Sequence, residues 1–164
     1  MKKQRIIIIC LLLVLCFAVL CACENNPEEI DEELVELRTW FFTSGVPNNL
    51  IEVKHSDPNA EFQLTADKGA FRFDGEWRQT ATINSGELIS WQSLGIIEGA
   101  YVDVIVTVDD NIVGYAVVKI TQREISILDY GAEIVKSVVF PKVDGEYQKV
   151  TQEKVEAKIQ AAKR

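Results

Sequence analysis

The fold class is decided by one stretch: Tyr101-Val-Asp-Val-Ile-Val-Thr-Val108, then Asp109-Asp110-Asn111, then Ile112-Val-Gly-Tyr-Ala-Val-Val-Lys-Ile120. Valine alternates with other residues throughout the first run, which is the pattern of a strand with one buried face. Asp and Asn are residues that tight turns prefer, because their side chains bond to the nearby backbone. The stretch therefore predicts a β-hairpin turned at residues 109–111.

Further short strands are predicted on both sides of this hairpin, each bounded by turn residues. In the run 61–66, apolar residues alternate with polar ones and predict a strand with one buried face. Residues 70–73 and 77–83 predict a second hairpin, closed by Asp74-Gly75. The other predicted strands are Leu50–Val53, Leu88–Gln92, Ile125–Leu128 and Ile134–Phe140, which makes about seven to nine in all.

The region 61–122 resembles immunoglobulin-like domains at two aromatic residues. Trp91, central in its strand, is similar to the core Trp of those domains, and Tyr115 is similar to their late-strand Tyr. The resemblance implies two packed antiparallel sheets, although the disulfide cysteines of the family are absent. We therefore expect a mainly β fold, an immunoglobulin-like antiparallel sandwich over residues 48–143 with a short C-terminal helix. A smaller β-roll and an α+β domain are the alternatives.

The C-terminal segment, residues 144–164, changes to a helical pattern. Thr151 suits the N-cap position, and Glu153 favours the first turn through the helix dipole. Val155 and Ile159 then form a narrow apolar stripe at helical spacing. The pattern predicts a helix from Thr151 to Arg164, with a helix that binds a partner as the alternative.

The N-terminal segment has the layout of a secretory signal. A basic head, residues 1–5, precedes an uncharged apolar run at residues 6–22. The run ends in Leu20-Cys21-Ala22-Cys23, which resembles the bacterial lipobox, where the Cys thiol is lipidated before cleavage. The resemblance implies that residues 1–22 are removed and that a lipid on Cys23 holds the protein at the outer face of a bacterial membrane. An uncleaved membrane helix is the alternative, since roughly 17 residues can just span a bilayer.

Residues 23–47 are predicted to be a tether and lead-in segment. The polar run Glu24–Glu29 would act as an extended spacer. Beyond it, a short helix and an extended lead-in are both open, because four apolar residues have helical spacing: Ile30, Leu34, Leu37 and Phe41. Trp40-Phe41-Phe42 is expected to dock onto the domain, with an exposed binding patch as the alternative.

Charge and cysteine positions restrict the functions that remain. All four cysteines lie in or at the end of the signal, so the domain beyond Cys23 cannot form a disulfide. The net charge is −8, and loss of Lys2, Lys3 and Arg5 with the signal would make it −11. Nucleic acid is therefore not an expected partner, because phosphate binding needs clustered Lys and Arg.

Residues suited to catalysis are sparse. The one histidine, His55, lies in the run Lys54-His55-Ser56-Asp57. A catalytic triad brings its members together from separate elements, so consecutive residues in a turn do not provide one. No metal-ligand spacing, phosphate-binding loop or dinucleotide fingerprint is present. We therefore expect a loop histidine, no cofactor and no enzymatic activity.

One oxygen-rich sequence is a weak candidate for a calcium site. Asp109, Asp110 and Asn111 lie at the predicted hairpin tip, with Asp103 or Asp129 as additional nearby ligands. The alternative is that these residues are there because tight turns prefer Asp and Asn.

The residues favour a non-catalytic binding or interaction module, anchored to the membrane through a lipid on Cys23. Its ligand would be a protein, a peptide or a glycan. A structural accessory subunit of a cell-envelope complex is one alternative, which an exposed apolar patch would favour. A small extracytoplasmic hydrolase is the other, which would need His55 to converge with acids from distant strands.

Overall fold

The computed structural model describes residues 26–41, 47–92, 99–122 and 130–164. The predicted signal segment and Cys23 lie outside the described residues. So do the predicted strand Ile125–Leu128 and Asp129, and the predictions that concern them stay predictions.

The described chain forms two antiparallel sheets and one helix. The six-stranded sheet contains, in spatial order, β1 (Ile30–Asp31), β11 (Tyr130–Val139), β10 (Asn111–Gln122), β9 (Ala100–Val108), β4 (Glu61–Ala66) and β7 (Thr80–Asn84). The five-stranded sheet contains β2 (Val35–Phe41), β3 (Pro47–Val53), β8 (Leu88–Gln92), β5 (Ala70–Phe73) and β6 (Glu76–Arg78). The helix α1 spans Gln152–Ala162. The predicted fold class, a mainly β antiparallel sandwich with a short C-terminal helix, is confirmed.

The main core lies between the two sheets. Strand β9 alternates strictly between buried and half-buried residues, and its buried side carries the valines of the deciding stretch. Trp91 in β8 is fully buried in the same cluster, and its Nε1 donates to the carbonyl oxygen of Lys68 at 3.0 Å. The indole is therefore both packed and hydrogen-bonded, which a buried Trp requires.

A second apolar layer covers part of the other face of the six-stranded sheet. Tyr115 and Phe140 lie in this layer and pack with Val155 and Ile159 of α1. Tyr115 and Trp91 therefore belong to different clusters of buried residues. The helix begins as expected, because the Thr151 side chain accepts a hydrogen bond from the backbone of Lys154.

The predicted hairpin of residues 70–83 is wrong in its second strand. Strands β5 and β6 do pair across Asp74-Gly75, where both residues have positive φ. The predicted second strand, residues 77–83, is divided at Gln79 into β6 and β7, and β7 pairs with β4 in the other sheet. The division leaves Trp77 49% exposed while Ala81 and Ile83 enter the core.

The predicted lead-in is extended and belongs to the sandwich. It contains β1, which pairs with β11, and β2, which pairs with β3, and Leu34 and Val35 are fully buried. The sandwich therefore starts at Ile30 and not at residue 48. The helical spacing of the apolar residues is overridden by long-range strand pairing. Because Phe42 lies outside the described residues, docking or exposure of Trp40-Phe41-Phe42 stays a prediction.

Candidate functional site

The His55 loop is held by local hydrogen bonds. The His55 Nδ1 atom accepts from the backbone N–H of Asp57 at 3.0 Å. The Ser85 hydroxyl bonds to the backbone N–H and carbonyl of His55 and not to its imidazole. A nucleophile paired with a base would need a bond from hydroxyl to imidazole. The described contacts of His55 are those of a turn residue.

Asp57 links this loop to the chain beyond β11. Its Oδ1 accepts from the backbone N–H of Asn59 at 3.0 Å, and its Oδ2 accepts from the Tyr147 hydroxyl at 2.8 Å. These bonds favour the ionised carboxylate and lower the pKa of Asp57. Burial, followed by the bond to Asp57, raises the pKa of Tyr147 to about 12. The Lys142 ammonium lies 4.2 Å from the Tyr147 ring centroid.

The candidate calcium residues form the turn between β9 and β10. Asp109 and Asp110 have φ values of 48° and 63°, the left-handed conformation that a two-residue hairpin turn requires. The Asn111 side-chain amide donates to the carbonyl oxygen of Asp109 at 3.0 Å. Turn geometry thus accounts for all three residues.

No group of three or more His, Cys, Asp or Glu side chains able to hold a metal is found within residues 26–41, 47–92, 99–122 and 130–164. Asp103 does not join the hairpin tip, since it lies six positions before Asp109 along an extended strand, about 20 Å away. Asp103 is instead paired with Lys163 of the C-terminal segment, with Oδ2 and Nζ 2.7 Å apart.

Two clefts lie on the outer side of the six-stranded sheet. The first, of about 470 Å³, is next to the hairpin tip and is lined by Glu61, Asn84 and Thr107 together with Asp109 and Asp110. The second, of about 300 Å³, lies between α1 and the sheet. It is lined by Gln63, Thr65, Asp103, Gln152, Glu156 and Gln160 among others. Both linings are rich in amide and carboxylate groups.

Strand pairing places the two clefts side by side. The outward positions of β7, β4 and β9 form three cross-strand rows: Asn84, Glu61 and Thr107; Thr82, Gln63 and Ile105; Thr80, Thr65 and Asp103. Every residue in these rows except Ile105 is polar. The first row borders the hairpin cleft, and the β4 and β9 members of the other two rows border the helix cleft. We call these three rows, with the α1 residues Gln152, Glu156 and Gln160 beside them, the polar groove.

Most side chains of the polar groove make no hydrogen bond to other described residues. Glu61, Gln63, Thr65 and Thr82 are exposed, and their side chains make no hydrogen bond within the described part of the chain. Side-chain hydroxyls and amides both donate and accept, while carboxylates accept. The groove therefore presents a mixed set of donors and acceptors to a ligand.

Asp103 is the most constrained residue of the groove. Its Oδ2 is bonded to Lys163, whereas its Oδ1 is buried and has no hydrogen-bond partner among the described residues. Burial raises the pKa of Asp103, and the Lys163 ammonium opposes that rise. A buried acceptor without a donor is rare in folded proteins and calls for an explanation.

The outer face of the five-stranded sheet has a different character. One row across it contains Arg38, Leu50, Ser90, Arg72 and Trp77. Trp77 is 49% exposed, with the Arg72 guanidinium carbon 5.9 Å from its ring centroid. The nearby Leu88 in β8 is 51% exposed. This face therefore combines two exposed apolar side chains with charged residues such as Arg38 and Glu52.

Sequence reasoning missed the polar groove. The alternation in β4 identifies Glu61, Gln63 and Thr65 as outward residues, and this signal was available. Their proximity to Asp103 follows from the pairing of β4 with β9, which no local pattern specifies.

No family model matches the chain, and comparisons with curated proteins and with solved structures also find no match. Among the described residues, no helix is long and apolar enough to cross a membrane.

Proposed function

We propose that this protein is a lipid-anchored, extracytoplasmic binding module without catalytic activity, and that it binds its ligand in the polar groove. The lipid would be carried by Cys23, at the outer face of a bacterial cell membrane. The ligand would lie across β7, β4 and β9, beside α1.

The exposed hydrogen-bonding groups of the polar groove, together with its concave shape, carry the proposal for binding. The solvent-facing side of an antiparallel sheet is ordinarily polar, so polar residues alone do not mark a binding site. Here the exposed side chains of Gln63 and Thr65 line a cleft against α1, and Asp103, whose Oδ1 has no hydrogen-bond partner among the described residues, lines the same cleft. Small-molecule sites are concave and combine a mostly apolar lining with a few placed polar groups; the groove shares the concave shape and the polar groups but has a mainly polar lining.

The sequence Leu20-Cys21-Ala22-Cys23 supports the proposal for anchoring. The contacts of the tether agree with a surface protein held close to its membrane. The Glu28 N–H donates to the Gln148 side chain at 2.9 Å, and Glu29 is paired with Lys158 at 2.7 Å. Between Cys23 and Glu28 the chain can extend at most about 18 Å. The sandwich would therefore remain next to the lipid surface.

Substitution of single cysteines tests the anchor. Cys23→Ser removes the thiol that would be lipidated, so the protein should leave the membrane fraction or accumulate as an uncleaved precursor. Cys21→Ser is the matched control, because a hydroxyl residue is common at that position of the lipobox, and it should stay lipidated and membrane-bound. Equal membrane retention and equal N-termini in both variants would contradict the proposal and support an uncleaved membrane helix.

A structural accessory subunit of a cell-envelope complex is the second candidate function. It is favoured by the outer face of the five-stranded sheet, where Trp77 and Leu88 are each about half exposed. Trp and Arg are enriched among the residues that dominate protein interfaces, and Arg72 lies against Trp77 on this face. Trp77→Ala would weaken such an assembly and leave binding in the polar groove unchanged.

A further inference from the structure

We propose that the polar groove binds a linear glycan whose sugar units are neutral or positively charged. This inference rests on the proposed binding function and names the ligand class for the same site.

The dimensions of the groove suit an extended ligand. The outward residues Glu61, Gln63 and Thr65 follow one another along β4, and the first and last are about 13 Å apart. A cleft continues at each end of this line, of about 470 Å³ at the hairpin tip and about 300 Å³ at α1. Each volume falls in the range of small-molecule sites. The groove is therefore longer than one sugar ring.

The chemistry of the lining matches sugar hydroxyls. A sugar hydroxyl donates one hydrogen bond and accepts others, and the Thr and Gln side chains of the groove can do the same. Ile105, which is half-buried, adds a small apolar surface against which a sugar ring can pack. A peptide with apolar side chains would require pockets for them, and this lining has few apolar residues.

The Oδ1 atom of Asp103 adds a specific requirement. It is buried without a donor among the described residues, while Oδ2 is held by Lys163. A buried acceptor that lacks a donor is unfavourable, and because Oδ1 is shielded from solvent, a ligand donor bonds to it only if the Asp103 side chain turns towards the groove. A sugar hydroxyl or ammonium group provides that donor, and a ligand that has only acceptors does not.

The charge of the groove selects against anionic polymers. Its carboxylates are Glu61, Asp103 and Glu156, with Asp109 and Asp110 at the end of the hairpin cleft. The Lys163 ammonium lies beside these carboxylates, but it is already paired with Asp103 and does not offset the remaining negative charge. Phosphate-bearing or carboxylate-bearing polymers would be repelled, whereas amine-bearing sugars would be attracted.

Four short probes of equal unit number test the inference on the full-length lipidated protein in detergent, by calorimetry. They are a tetramer of N-acetylglucosamine, the fully de-acetylated tetramer, a tetramer of galacturonic acid and tetralysine. The two glucosamine probes should bind, and the de-acetylated one should bind more tightly at low salt. Added salt should reduce that difference, because the extra attraction is between exposed charges. Galacturonate should not bind.

Two Glu→Gln variants provide a matched comparison. Glu61→Gln removes a carboxylate from the groove and should weaken binding of the de-acetylated tetramer roughly two- to fivefold, the range of an exposed charge pair. It should leave the neutral tetramer almost unchanged. Glu133→Gln removes an exposed carboxylate from β11, away from the groove, and should change neither probe. Gln63→Ala, at the centre of the groove, should weaken both glucosamine probes.

The outcomes separate this inference from the proposed function. If tetralysine binds more tightly than both glucosamine tetramers and loses affinity in Glu61→Gln, the groove is a binding site but its ligand is a basic peptide. If no probe binds, or if galacturonate binds as well as the other two sugars, the glycan inference is wrong. Neither result bears on the anchor, which the Cys23→Ser and Cys21→Ser comparison reads independently.

Discussion

At the scale of single residues, Trp91 makes the largest contribution to the core. Among the described residues it is the largest fully buried side chain, and its indole N–H is bonded to the Lys68 carbonyl. Trp91→Ala should lower the free energy of unfolding by about 3–5 kcal/mol, because it leaves a cavity between the sheets. Trp77→Ala is the control, since half of that side chain is exposed, and it should cost about 1 kcal/mol or less. Equal losses in denaturant unfolding would contradict this assignment of the core.

Gly69 is required where the turn after β4 passes over Trp91. A Cβ atom at this position would lie 2.5 Å from Cζ2 of Trp91 and 2.6 Å from the Gln92 carbonyl oxygen. Gly75 has a similar positive φ, but nothing lies within 4 Å of the point that a Cβ atom would occupy there. Gly75→Ala should therefore show only the backbone cost of about 1 kcal/mol, and Gly69→Ala should lose a further 1–3 kcal/mol, roughly, from overpacking. Similar thermal unfolding temperatures of the two variants would contradict this account, because they would show that the Trp91 side chain can shift without loss of stability.

Tyr147 should respond to alkaline pH. Burial and the bond to Asp57 raise its pKa to about 12, above the value near 10 of an unfolded chain. The folded state holds the phenol proton more tightly than the unfolded chain does. The contribution of Tyr147 to folding stability is therefore complete below about pH 10 and is lost as the pH rises through about 12. The phenolate absorbance of the protein minus that of Tyr147→Phe should titrate near pH 12. Asp57→Asn should lower that midpoint, and a difference titration centred near pH 10 would contradict the described contact.

At the scale of secondary-structure elements, α1 acts as the cover of the outer apolar layer. Ile159→Asp would place a charge in that layer and should detach the helix from Tyr115 and Phe140. We expect increased binding of a hydrophobic dye and loss of protection in hydrogen exchange over residues 152–162. Ala157→Asp, on the exposed side of the same helix, should change neither measurement. Unchanged dye binding in Ile159→Asp would mean that the helix is not held by these contacts.

Elements with a complete local signal were predicted from the sequence. The run 61–66 alternates in sequence and has the same alternation of burial in the structure. The two strands of the deciding hairpin, and the N-cap at Thr151, were likewise found from local patterns. The segment 77–83 failed because its residues suit either sheet, and only the tertiary fold determines that the chain changes sheets at Gln79.

At the scale of the whole molecule, the sequence predicts the layers but not the order of strands within them. In the six-stranded sheet β4 lies between β7 and β9, whereas β3 and β5, the strands before and after it in sequence, belong to the other sheet. In this position Phe62 and Leu64 of β4 are part of the core. That long-range pairing creates the polar groove, so the groove could not be read from local patterns. The acids at the hairpin tip could be identified from the sequence as candidate calcium ligands, but the structure explains them as turn residues. The lead-in was misplaced for the same reason, because β1 pairs with a strand more than one hundred residues away.

The whole-molecule account depends most directly on the state of Cys23. Intact-mass spectrometry of the protein extracted from membranes reads both the cleavage site and any added acyl mass. We predict a chain that begins at Cys23 and carries a diacyl or triacyl modification, which would fix the sandwich and its polar groove outside the cytoplasm. An unmodified chain beginning at Met1 would contradict the lipid anchor and would make the N-terminal segment a retained membrane helix.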